Sequence, residues 1–122
     1  MSLFALIALQ SLAICQSAET TADIVECASA EYKIADAAMT GAWRLASARA
    51  KNADGSATVS KTPQSYFQVL LDGQRKWIAF RDAHCKAAGY MMRGGSGQGY
   101  STTFCLIELT NQRKRQLDAL EF

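Results

Sequence analysis

One proline, Pro63, and one histidine, His84, are all that 122 residues contain of either type. Each scarcity excludes something. With so little proline, and with four of the eight glycines gathered between positions 94 and 99, the chain lacks the regularly spaced turns of an all-β domain. Long uninterrupted helices fit it better. A zinc site needs close cysteine pairs or histidines a turn away, and no C-x-x-C occurs while His84 is adjacent to Cys85. No cofactor or metal is expected. The formal charge of +2 is too weak to point to nucleic acid. Fewer than ~18 apolar residues precede Gln16, so no stable membrane span is expected.

What is present is enough for one domain. Hydrophobic residues make up 49% of the chain, which supports a core, although so short a domain profits from covalent help. Residues 1–13 form an uncharged apolar run of leader length, with Ser11-Leu12-Ala13 as a plausible cleavage site and Gln16-Ser17-Ala18 as a poorer one. The basic start of a usual leader is missing. Leu12-Ala13-Ile14-Cys15 superficially resembles a lipoprotein box, but Ile14 is too bulky before a lipidated cysteine. Residues 14–122 then read as a single exported domain. Its four cysteines, Cys15, Cys27, Cys85 and Cys105, read as two disulfides formed in an oxidising compartment. Three pairings are possible, and the local one, Cys15–Cys27 with Cys85–Cys105, closes the shortest loops.

The expected fold is all-α, a compact up-down-up bundle of three main helices. Helix one is predicted over 21–51, opened by Thr20 and Asp23 in the manner of a capping box. Ala28, Tyr32, Ala35, Met39, Ala42 and Ala46 fall at steps of four and three along it. Residues 52–61, centred on Asp54-Gly55-Ser56, read as a loop. Helix two is predicted over 63–88 with Thr62 as its N-cap. It carries one stripe of Tyr66, Leu70, Gly73, Trp77, Phe80 and His84, and another of Phe67, Leu71, Gln74, Ile78, Arg81 and Cys85. The glycine run 94–99 reads as a flexible connector, because Gly99 is followed by Tyr100 rather than by the lysine of a phosphate-binding loop. Helix three should start at Ser101 or Thr102 and run to Leu120, with Leu106, Leu109, Arg113, Leu117 and Leu120 on one side.

No acid–base pair or nucleophile constellation appears, so an enzyme is not expected. His84 and Cys85 are neighbours on a helix, about 100° apart, and cannot share a proton well. Arg81 shares its side with Gln74 and Cys85, so its charge faces the other helices. Its expected role is structural. Asp36 of helix one is the natural carboxylate partner, Asp82 the alternative, and Arg113 the residue that completes a network with Gln74 and Trp77.

Several features together resemble the LprI-like family of small secreted proteins, named for a lysozyme inhibitor. They are Cys15-x11-Cys27, Ala30-Glu31-Tyr32 with Ala35-Asp36, and Gln74-Arg75-x-Trp77-Ile78-x-Phe80-Arg81-Asp82-Ala83-His84-Cys85. Gly94-Gly95-Ser96, Ser101-Thr102 and Cys105-x4-Thr110-x2-Arg113-x3-Leu117 continue the pattern. Met39-Thr40 and Trp43 depart from it, where the family has Leu-Asn and a tyrosine. The resemblance implies a helical domain in the periplasm or on the cell envelope, with a lysozyme or another muramidase as protein partner. An envelope-associated domain without inhibitory activity is the alternative. The residues expected to meet a partner are Glu19, Asp23 and Glu26, spaced to share one face in an acidic start, with Arg93 beside the glycine run as the second choice.

Overall fold

The computed structural model describes Cys15, residues 17–56 and residues 64–122. Among these residues the chain forms three helices and no strand: α1, Thr21–Asp54; α2, Tyr66–Tyr90; and α3, Gln98–Asp118. The leader expected over residues 1–13 lies outside the described residues, as do Thr62 and Pro63.

α1 begins where its first residues require. Thr20 is extended, and its hydroxyl accepts from the Asp23 amide at 3.1 Å, satisfying one of the donors that a helix start leaves open. Of the expected stripe, Ala28, Ala35, Met39, Ala42 and Ala46 are buried and Tyr32 is half-buried. At its far end α1 runs about a turn beyond position 51, and the reason is tertiary. The Asp54 carboxylate accepts from the amides of Tyr66 and Phe67 at 2.8 and 3.1 Å. An anion at the positive end of a helix is favourable, so the last residue of α1 helps to cap α2. Ser65 completes that start in a capping box with Gln68. The N-cap of α2 is thus Ser65 rather than Thr62.

α3 also starts earlier than expected. Gly97 is its N-cap, without a side-chain bond, and Gly99 lies in the first turn. The first-turn amides of a helix have no partners within it in any case, so glycine is tolerated there. Ser101 and Thr102 are already helical, and the Thr102 hydroxyl donates back to the Gln98 carbonyl at 2.9 Å. The inner side of α3 is also rotated from the leucine stripe. Ile107, Thr110 and Leu117 are its buried residues, while Leu106 and Leu109 are only half-buried.

Contacts between helices fix the up-down-up order. Lys51 lies over the Phe67 ring at 4.5 Å and Arg81 near the Tyr32 ring at 5.8 Å, so α2 runs antiparallel to α1. Gln74 meets Arg113 while Cys85 is bonded to Cys105, so α3 runs antiparallel to α2. α1 and α3 are the most extensively packed pair. The apolar core occupies one half of the bundle: Met39, Ala42, Ala46, Ala50, Leu70 and Leu117, closed by Trp43, Tyr66, Phe67, Trp77 and Leu120. Both disulfides lie toward the other end. The expected pairing is the one found, Cys15–Cys27 and Cys85–Cys105, with Cα atoms 5.5 and 5.3 Å apart.

Candidate functional site

A polar layer separates the apolar half from the stapled half. Arg81 is buried on α2, and its Nε donates to Asp82 Oδ1 at 2.9 Å. Nη1 points to the hydroxyl of fully buried Thr110 at 3.4 Å, and the guanidinium lies 5.1 Å from the Trp77 ring. Its ion-pair partner is therefore the adjacent Asp82 and not Asp36; no ion pair joins Asp36 among the described residues. Arg113 does not join through a carboxylate either. It donates to the side-chain carbonyl of Gln74 at 2.8 Å, while Gln74 offers its amide to the Met39 sulfur at 3.3 Å. Burial pushes the Tyr32 phenol above its usual range; Arg81 opposes this, and Asp36 and Asp82 add to it. Burial likewise lowers the pKa of Arg113.

This layer braces three helices. Replacing Arg81 by alanine is expected to cost about 2 kcal/mol, from a charged hydrogen bond and two ring contacts. The effect stays below the roughly 3–5 kcal/mol of a fully buried pair, because the Asp82 side chain is 58% exposed and remains solvated alone. Urea denaturation of Arg81→Ala beside Arg81→Met, which keeps much of the stem, measures the two parts. Unchanged midpoints in both would show that the layer holds nothing together.

Beyond the layer lies the stapled end. Arg81 is level with Tyr32. Nine residues onward along α2 is Tyr90, and nine residues back along α1 is Asp23, each about 14 Å toward the same end. The acidic start of α1 and the α2–α3 loop therefore lie at the same end of the bundle. Glu19, Asp23 and Glu26 are all exposed, and none makes an ion pair among the described residues. Glu19 precedes the helix. In the loop, Arg93 is exposed with its guanidinium 5.0 Å from the Tyr90 ring. Beside it Met91 is 86% exposed, and Tyr90 and Met92 are exposed as well.

The loop is wound in turns. Arg93 donates its amide to the Tyr90 carbonyl, Gly95 to that of Met92, and Gly94 to the Gln98 side chain, at 2.9–3.2 Å. Gly94 has φ of +83°, a backbone that L side chains rarely adopt. Gly97 leaves the space into which Met92 and Tyr100 close, since a Cβ there would lie 2.8 Å from each. The glycines thus shape a defined tip that presents two methionines and an arginine. Those methionines escaped the sequence reading; the signal for them was an apolar pair stranded between a helix end and a glycine run.

A family model described as "Lysozyme inhibitor LprI" matches residues 13–117. The chain belongs to the LprI family. The family match runs from before Cys15 to Leu117 and so takes in the stapled end, the polar layer and most of the core. An LprI-family relative from Rhizobium meliloti (strain 1021), the uncharacterized protein R02472, is 33% identical over 107 residues, 87% of this chain and 77% of that protein. No solved structure matches the chain significantly. Among the described residues of this LprI-family chain, no helix is long and apolar enough to cross a membrane, and no group of three His, Cys, Asp or Glu side chains could hold a metal.

Proposed function

We propose that this is an exported, non-enzymatic protein-binding domain of the bacterial periplasm or cell envelope whose stapled end engages a lysozyme-type muramidase. The family supports the target class, and two disulfides support an oxidising compartment. One observation carries the choice of surface. The three unpaired carboxylates and the Met91-Met92-Arg93 tip share one end of the bundle, locked by both disulfides. Animal-type lysozymes are basic and hold catalytic carboxylates in a cleft. A narrow tip carrying Arg93 suits the cleft, while Glu19, Asp23 and Glu26 suit its basic rim. Exposed methionines add adaptable apolar contact, and a pre-shaped loop loses little entropy on binding. The overall charge of +2 works against long-range steering, so the acidic patch acts locally.

Titration of the mature protein into a c-type lysozyme, with turnover of cell walls as readout, tests this. Reversal of Glu19, Asp23 and Glu26 to lysine is expected to slow association about tenfold and to invert its salt dependence, since added salt then relieves a repulsion, with far-UV circular dichroism unchanged. Unaltered inhibition in that triple variant would move the contact to Arg93 and the loop. No inhibition by the wild type would favour an envelope-associated domain without inhibitory activity.

A further inference from the structure

Gly73 stands in the middle of α2, where glycine is the poorest helix former after proline. Packing does not ask for it, because a Cβ built there meets no atom within 4 Å. What its bare backbone leaves open is an apolar groove of about 500 Å³ at the end of the bundle opposite the disulfides. Tyr66, Val69, Leu120 and Phe122 form its walls with Gly73, and Arg113 is the charged residue lining it. That volume lies in the range of small-molecule sites, roughly 300–1,000 Å³.

Arg113 decides what the groove suits. Its Nε and Nη1 donate to the side-chain carbonyls of Gln74 and Gln116 at 2.8 and 3.2 Å, both neutral. No carboxylate lies within ion-pair distance of it among the described residues. A part-buried guanidinium whose partners are two neutral amides and the Trp77 ring has no counter-charge, and an anion in the groove would supply one. An anion with an apolar tail would also cover Val69 and Phe122, which are otherwise exposed.

We infer that this groove binds an aliphatic monocarboxylate, its head on Arg113 and its chain along Gly73 between Tyr66 and Phe122. The site is remote from the stapled end and does not depend on the partner proposed for that end.

Decanoate, below its micelle concentration, is the probe. Calorimetric titration into the mature protein should show saturable one-to-one binding, reported also by the fluorescence of Trp77, whose ring lies 5.9 Å from the Arg113 guanidinium. Decan-1-ol, lacking the charge, should bind roughly tenfold more weakly or worse, and Arg113→Gln should lose a similar factor for decanoate. Arg113→Lys should retain most of the affinity. Gly73→Leu should fill the groove and abolish binding, with unchanged circular dichroism and no fall in melting temperature, because the space is open and leucine is the better helix former. Equal binding of decanol and decanoate would overturn the inference, as would full decanoate affinity in Gly73→Leu. So would a concentration-dependent dimer, lost in Gly73→Leu, in a protein that does not bind decanoate; the groove would then belong to a second copy.

Discussion

Replacing Cys85 and Cys105 by serine is expected to lower stability by about 3 kcal/mol and the melting temperature by roughly 10–20 °C. The bridge closes a sequence separation of 20 residues and ties α2 to α3 at a point where Cys85 is fully buried. Beside the bridge, buried Gly89 lets α2 close onto Thr102 and the Gln98 carbonyl of α3, but large apolar side chains are few there. The large apolar side chains of the core cluster lie on the far side of the Arg81 layer, and the stapled half offers Ala28 and Ile107 instead. Alanines bury little area, so the hydrophobic contribution at this end is small. Cys15–Cys27 closes a separation of 12, and loop length alone would make the two bridges differ by only about 0.5 kcal/mol. What each one holds distinguishes them. Cys15–Cys27 fastens the segment before α1 onto α1 itself, so its loss should matter less to global unfolding and more to the placement of Glu19. Calorimetry of the two double-serine variants checks the order. A Cys85/Cys105 variant that melts like wild type would mean that packing alone closes the stapled end.

The second large effect is expected at Leu117. Its side chain is fully buried among Met39, Ala42, Ala46, Ala50 and Leu70. Leu117→Ala removes the main apolar side chain that α3 contributes to this cluster. On α1 the walls that would have to close the gap are largely alanines, which have no rotamers to swing inward. The cost should therefore sit in the middle of the usual range for such a change, about 3–4 kcal/mol. Leu117→Met, which nearly keeps the volume, should cost less than about 1.5 kcal/mol. Urea unfolding with an unchanged slope measures both. A loss below 1 kcal/mol for Leu117→Ala would mean that α1 and α3 draw together across the gap.

The inner face of α1 was legible because it is a local property. Thr20 caps through an amide three residues away, and the alanine–methionine stripe repeats at the helical period whatever lies opposite. The disulfide pairing was legible for a related reason, since short loops close at least entropic cost. The starts of the other two helices were not. Thr62-Pro63 is a good local start signal, but the first described residue of α2 is Tyr66, capped by Ser65 and by a carboxylate from α1. Ser101 and Thr102 are likewise good local caps for α3. They are overridden because the turns that end at Gly97 supply an earlier start.

By itself, the sequence determined that the domain is helical, stapled by two disulfides and built around one long alanine-lined helix. Each of those follows from short-range rules of periodicity, capping and loop closure. Only the tertiary structure decided which charges meet. Arg81 pairs with its neighbour Asp82 while Asp36, an equally good candidate by helical face, makes no ion pair among the described residues. It also decided that the acidic start of α1 shares an end with the Met91-Met92-Arg93 tip, about seventy positions away, and that Arg113 faces an open groove beside Gly73. Helical period fixes the face of a residue but not its height against a neighbouring helix. That height is set by which side chains interlock across the bundle, and so by residues far apart in the chain.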